Sequence, residues 1–126
     1  MKATIYITGE IGVETTLLDV VKQVKQNPSA TELFVKIDSI GGYVQDGKDI
    51  YNYLKNLDKK ITTFTTKSYS IASMIFMAGE ERIIPENAQD ALMIHLPWME
   101  AQGNHSQIQE YLKGLKNVED ELVNFY

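Results

Sequence analysis

Ser73, His95 and the adjacent pair Gly41 and Gly42 are the residues whose types could together perform acyl transfer. A serine hydroxyl becomes an effective nucleophile when a histidine lies close enough to accept its proton. Backbone N–H groups of a glycine segment can stabilise the oxyanion that forms when the hydroxyl attacks a carbonyl. The glycines precede Ser73 and the histidine follows it, so only the fold can bring the three together.

The residues around Ser73 indicate a strand followed by a helix. A β-prone run at 61–66 leads towards the serine, and a small, apolar run at 72–78 follows it. A hydroxyl at such a transition projects from a tight turn, close to the N–H groups that the first turn of a helix leaves unpaired. Ser68 and Ser70 are rival hydroxyls, which we interpret as part of the approach to the helix.

The rest of the chain alternates between strand and helix patterns. β-branched and aromatic runs bounded by Gly, Pro and Asn predict strands, and apolar residues at helical spacing predict helices. Such alternation favours an α/β fold with largely parallel strands, in which ligands bind at the carboxyl ends of the strands. The predicted strands are 3–8, 33–37, 61–66, 82–84 and 91–95, with a turn at 85–88 and a helix at about 46–56.

Two of these elements carry more detailed predictions. The first helix is expected to be capped by Thr15 or Thr16 and to end at Asn27-Pro28. The strand 33–37 is almost continuously apolar, which is typical of a sheet covered on both faces. The buried stripe of the first helix is predicted to be Leu17, Leu18, Val21 and Val24, and that of the 46–56 helix Ile50, Tyr51, Leu54 and Leu57.

A long final helix is predicted after Gly103, capped by Asn104 or Ser106. Apolar residues repeat in it every seven positions, which is compatible with packing on its own domain and equally with a seam for another subunit. The repeating residues are Ile108, Leu115 and Leu122, together with Tyr111, Val118 and Phe125.

Composition excludes several function classes. The chain has 126 residues, a net charge of −5 and no cysteine. The acidic balance argues against a nucleic-acid or anionic-membrane partner, and the lack of cysteine excludes disulfides and thiolate metal sites. His95 and His105 alone make a poor metal site, so we predict neither metal nor cofactor. No signal peptide or membrane span is recognisable, which predicts a soluble cytoplasmic protein.

Short segments along the whole chain form a characteristic series. They are Ile5–Gly12, Ile37–Val44, Asp46-Gly47, Ile50-Tyr51, Ile71–Met74, Met77–Gly79, Pro85–Ala88 and Met93–Trp98. In this order and near this spacing they resemble the ClpP-type serine peptidases, and most closely the head maturation (prohead) proteases of phages and prophages. The resemblance covers essentially the whole chain and implies a ClpP/crotonase-like α/β fold of repeated ββα units with a long C-terminal helix.

The resemblance implies a role for each candidate site residue. Ser73 would be the nucleophile and His95 its general base, while the backbone N–H groups of Gly42 and Met74 would form the oxyanion hole. A glycine at position 42 lets a substrate carbonyl approach its N–H closely. The segment Gly41, Gly42, Tyr43 and Val44 would bind an extended peptide substrate by pairing with it as a strand.

Two departures from the ClpP pattern affect these expectations. Ile40 stands where ClpP has a proline, which removes a rigid turn former. The family takes its third triad member, an Asp, from a segment after the long helix, so residues 1–126 are expected to form a single ClpP-like domain without that segment. Asp90 lies five positions before His95, about 16 Å along a strand, which is too far to orient the ring. Low activity of this chain is the expected consequence.

The predicted function is therefore a serine endopeptidase that acts through an acyl-enzyme in phage capsid maturation. Its partners would be a polypeptide substrate, such as a capsid or scaffold protein, and further copies of itself in a ring. It would act in the host cytoplasm or the assembling procapsid. Three alternatives stay open: a crotonase-like acyl-CoA enzyme, a serine–lysine peptidase, and a non-catalytic assembly module for which the Ser73 hydroxyl is dispensable.

Overall fold

The computed structural model describes residues 1–88, 90–94 and 105–125. The chain divides into two compact units, Met1–Ile94 and His95–Tyr126. Nine elements lie within the described residues: β1 (Lys2–Ile11), α1 (Leu17–Lys25), β2 (Glu32–Gly42), α2 (Val44–Lys55), β3 (Lys60–Tyr69), α3 (Ile71–Phe76), β4 (Glu81–Ile83), β5 (Leu92–Met93) and α4 (His105–Phe125).

The first unit is built on a parallel sheet in which β1, β2, β3 and β4 are neighbours in that order. Each pairing is parallel, and α1, α2 and α3 form the connections between successive strands. The short strand β5 pairs with the end of β3, at Ser68 and Tyr69. The predicted α/β class with parallel strands is confirmed, although β1, β2 and β3 extend beyond the predicted ranges.

One face of this sheet forms the core. Ile5 and Ile7 of β1 and Leu33 and Val35 of β2 are buried, and their neighbours along each strand point the other way. On that other face Phe34 packs against Phe64, with 5.9 Å between ring centroids. The prediction that β2 is covered on both faces is wrong for the described residues, because its burial alternates with the period of two that a half-exposed strand has.

Helix α1 begins where the sequence predicts. Thr16 is its N-cap and Asp19 completes a capping box, since each side chain accepts a hydrogen bond from the other residue's backbone N–H. The predicted buried stripe is wrong in part, because Leu18 is 60% exposed and the buried residues are Val20 and Val24. The phase of the helix is decided by where it meets β1 and α2, which its own sequence does not specify.

Replacing Val20 in α1 is expected to destabilise the protein far more than replacing Leu18, although leucine loses more atoms. Val20→Ala removes buried methyl groups from a fully buried side chain and should cost about 1–3 kcal/mol of unfolding free energy. Leu18→Ala should stay within about 0.5 kcal/mol, because the side chain is solvent-exposed. Urea unfolding of the two variants measures the difference, and equal losses would contradict the observed helix phase.

The capping box should make stability depend on pH. The backbone N–H of Thr16, and then its hydroxyl, donate to the Asp19 carboxylate and hold the pKa of Asp19 below its ordinary value. A lowered pKa in the folded state stabilises the fold above the unfolded-state pKa of about 4, and this contribution is lost as pH falls through the folded-state value. Asp19→Ala should therefore lower the melting temperature at pH 7, and the gap from the wild type should shrink at pH 3. A gap that does not change with pH would contradict this assignment.

Helix α2 and the turn before β5 follow the prediction closely. Ile50 and Leu54 are buried as predicted, whereas Tyr51 and Leu57 are half-buried. In the turn, the Ala88 N–H donates to the Pro85 carbonyl at 3.0 Å.

The second unit contains helix α4, which begins at His105. Its exposed side is stabilised by ion pairs at helical spacing, in which Lys116 meets Glu119 and Asp120. The hydrogen bond with Asp120 raises the pKa of Lys116. Val118 and Phe125 of the predicted stripes are half-buried, and the side chains of the other four stripe residues lie outside the described part of the chain. No helix among the described residues is long and apolar enough to cross a membrane.

Candidate active site

Ser73 lies in the first turn of α3, three residues after the β3 strand gives way to the helix at Ser70. The side chain is only 2% exposed. Its hydroxyl donates to the Ser70 carbonyl at 2.6 Å, and its backbone N–H donates to the same carbonyl at 3.0 Å. The predicted transition from strand to helix is therefore present, with Ser73 inside the helix and Ser70 at the turn itself.

The turn at Ser70 has an unusual backbone. Ser70 adopts φ 56° and ψ −128°, a conformation that glycine favours and that costs other residues of order 1–3 kcal/mol. Its N–H donates to the Met93 carbonyl at 2.6 Å, so β5 is hydrogen-bonded to the same turn. Strain of this kind persists only where the surroundings hold it, and here β3, β5 and α3 meet at one residue.

Gly41 packs directly against this turn. A side-chain carbon at Gly41 would lie 2.7 Å from Cβ of Ser70 and 2.8 Å from the Tyr69 carbonyl oxygen. Its φ of 97° is also one that side chains disfavour. The end of β2 therefore packs closely against the residues that precede Ser73, and the structure brings Gly41 and the Ser70 turn together.

Gly42 has a different environment from Gly41. It is exposed, and an added side-chain carbon would collide with the backbone of Ile11 in β1. The next residue, Tyr43, is extended and donates its N–H to the Ile11 carbonyl at 3.0 Å. Val44 is the first residue of α2, so the extended segment predicted at 41–44 ends at Tyr43.

Two close contacts hold α3 in place. Gly47 in α2 is buried, and any side chain there would meet Ile71 at the start of α3. At the other end, the hydroxyl of Thr63 in β3 donates to the Phe76 carbonyl at 2.7 Å. Met74, adjacent to Ser73, has its side chain buried in the core. The position of Ser73 is therefore set by contacts with α2 and β3 as well as by the turn.

His95 lies outside the described residues, as do Trp98 and the predicted helix cap Asn104. The described chain reaches Ile94, one residue before the histidine, and leaves β5 beside the Ser70 turn. Among the residues that the structure describes, no cluster of three His, Cys, Asp or Glu side chains could hold a metal ion.

The strained backbone of Ser70 is the feature that sequence reasoning missed. Ser70 was interpreted only as part of the approach to the helix, whereas its turn contacts Gly41, β5 and Ser73. Nothing in the local sequence Tyr69-Ser70-Ile71 signals a glycine-like conformation, because it is imposed by partners that are distant along the chain.

The domain thus combines a parallel α/β sheet, a buried serine in the first turn of a helix, and a glycine at the end of a strand that packs against the turn before that helix. A protein-family profile described as Clp protease matches residues 1–126, the whole chain. The chain belongs to the Clp protease family, and is thus related to serine peptidases whose members cleave peptides as oligomeric rings.

Proposed function

We propose that this protein is a serine endopeptidase in which Ser73 is the nucleophile and His95 the general base. The observation that carries the proposal is the packing of Gly41 against Tyr69 and Ser70, because it puts the diglycine strand end beside the turn that leads into Ser73. The hydrogen bond between Ser70 and Met93 supports the role of His95, since that residue follows Met93 by two positions.

The proposed reaction proceeds through an acyl-enzyme. The Ser73 oxygen attacks the peptide carbonyl while His95 accepts the hydroxyl proton. The tetrahedral oxyanion collapses, the C–N bond breaks, and His95 returns the proton to the leaving amine. Water then attacks the ester with the same base, which releases the acid and regenerates the serine.

The oxyanion would be stabilised by the backbone N–H groups of Gly42 and Met74. Because Tyr43 N–H donates to Ile11, the Gly42 carbonyl points away from β1. The exposure of Gly42 supports its proposed role, because a substrate carbonyl can approach it.

The substrate would be an extended polypeptide bound along Gly41, Gly42 and Tyr43, with Val44 contributing only as the start of α2. We infer from the resemblance to prohead proteases that the natural substrates are capsid or scaffold proteins, cleaved by a homo-oligomeric ring in the host cytoplasm or the assembling procapsid. Co-expression with the capsid and scaffold proteins, followed by intact mass of both, tests this finer assignment. Uncleaved proteins would contradict it.

The experiment that tests the peptidase itself is intact-mass labelling with a fluorophosphonate, which reacts with activated serines. We expect one adduct per chain, located by peptide mapping to Ser73. If the folded protein stays unlabelled, the peptidase proposal fails and a non-catalytic assembly role takes its place.

A further inference from the structure

The register of β2 shifts twice shortly before the glycine pair, once relative to β1 and once relative to β3. Thr8 pairs with Asp38 and Glu10 with Gly41, so β2 contains one residue more than β1 at this point. On the other side of β2, Ile37 pairs with Thr65 and Asp38 with Lys67, so β3 contains one residue more than β2. Each shift changes the direction in which the following strand end leaves the sheet.

A buried hydroxyl bridges the first shift. Ser39 is 1% exposed, and its Oγ donates to the Gly9 carbonyl at 2.6 Å. The same Oγ accepts a hydrogen bond from the Gly41 N–H at 3.1 Å. In the pairing of β1 with β2, the shift leaves Gly9, Ser39 and Ile40 without register partners, while Ser39 pairs on its other side with Ser68 of β3. The serine side chain therefore takes over the backbone hydrogen bonding that the strands lose there.

A second buried hydroxyl bridges the other shift. Thr65 is fully buried, and its Oγ1 donates to the Ile37 carbonyl at 2.9 Å and accepts from the Lys67 N–H at 3.0 Å. Its third contact is with the Ser68 hydroxyl at 2.6 Å. A threonine has one O–H to donate. Because Ile37 receives it, Ser68 must be the donor to Thr65, and all the hydrogen-bonding capacity of Thr65 is used.

We propose that Ser39 and Thr65 are positioning residues, whose hydroxyls fix the two register shifts and so hold Gly42 and Ser73 at the separation that acyl transfer requires. The inference rests on the proposed function of Ser73. Ser39 lies three residues before Gly42 on β2. Thr65 is hydrogen-bonded to Lys67 and Ser68, in the final residues of β3 before Ser70. Displacement of a reacting group by about 1 Å can cost on the order of 10²-fold in rate.

The fluorophosphonate reaction rate of four variants tests the proposal. Thr65→Val keeps the shape and removes the hydroxyl, and together with Ser39→Ala it should slow labelling by about 10- to 100-fold in protein that circular dichroism shows to be folded. Thr65→Ser retains the hydroxyl and should stay within about threefold of the wild type. Thr4→Val is the matched control, at an exposed position of β1 outside both register shifts, and should label at the wild-type rate. Wild-type rates in Thr65→Val and Ser39→Ala, or equal rates in Thr65→Val and Thr65→Ser, would overturn the proposal.

Amide hydrogen exchange separates this inference from the proposed function, because it needs no activity. In Ser39→Ala, exchange at the Gly41 amide should accelerate by about tenfold or more, while the upstream pairing of Ile5 with Val35 stays protected. Unchanged protection of Gly41 shows that Ser39 does not hold the strand end and overturns the inference, even where the wild type labels. If the wild-type protein is not labelled, the peptidase proposal is refuted, and so is the catalytic part of this inference. Amide exchange at Gly41 still tests whether Ser39 fixes the end of β2 in that case.

Discussion

Ser73→Ala should abolish fluorophosphonate labelling and lower peptide hydrolysis by about 10⁴-fold or more, because Ser73 is the proposed nucleophile and its oxygen would carry the acyl group. The variant is expected to fold. The hydroxyl donates a hydrogen bond to the Ser70 carbonyl, and losing such a bond costs only about 1 kcal/mol. Intact mass after treatment with the fluorophosphonate tests the loss of labelling, and circular dichroism before treatment tests whether the variant is folded.

Ser70→Gly is the matched control for Ser73→Ala. It removes the rival hydroxyl nearest to Ser73 but keeps the carbonyl that Ser73 contacts, and glycine accepts the φ of 56° without strain. The adduct should therefore form on Ser70→Gly and disappear on Ser73→Ala. An adduct on Ser73→Ala but not on Ser70→Gly would make Ser70 the nucleophile. An adduct on both variants would show that a third residue is labelled.

Gly41→Ala is expected to have the second-largest effect, on stability and reactivity together. The new carbon would lie 2.7 Å from Cβ of Ser70 and 2.8 Å from the Tyr69 carbonyl oxygen, at a φ of 97°. Neither neighbour can move without displacing the strand that leads to Ser73. We expect a loss of about 2–4 kcal/mol in unfolding free energy and a labelling rate lower by about 10²-fold.

Gly114→Ala provides the control for Gly41→Ala. Gly114 lies within α4, and an added carbon there meets no heavy atom within 4 Å in the described part of the chain. Alanine favours the helix by about 1 kcal/mol, so the labelling rate should stay unchanged. Urea unfolding and the fluorophosphonate labelling rate are measured for both variants. If Gly41→Ala is as stable and as reactive as Gly114→Ala, the close approach of β2 to the Ser70 turn is refuted.

The sequence predicted those parts of the fold that depend on neighbouring residues. The cap of α1 at Thr16 follows from a hydrogen bond to a residue three positions away, and the turn at 85–88 from an equally short contact. The burial of Ile50 and Leu54 follows from helical spacing. The burial of Leu18 was wrongly predicted, because an apolar side chain does not say which face of its helix meets the sheet.

For the candidate site, the sequence by itself determined which groups are available: a serine near the start of a helix, a histidine after a later strand, and a glycine pair at the end of an earlier one. Only the tertiary structure decided that Gly41 meets Ser70, that Ser70 adopts a glycine-like backbone, and that Ser39 and Thr65 bridge the register shifts. These contacts join residues up to 30 positions apart. They depend on strand register, which is selected by the packing of the whole sheet and is not encoded in any short segment.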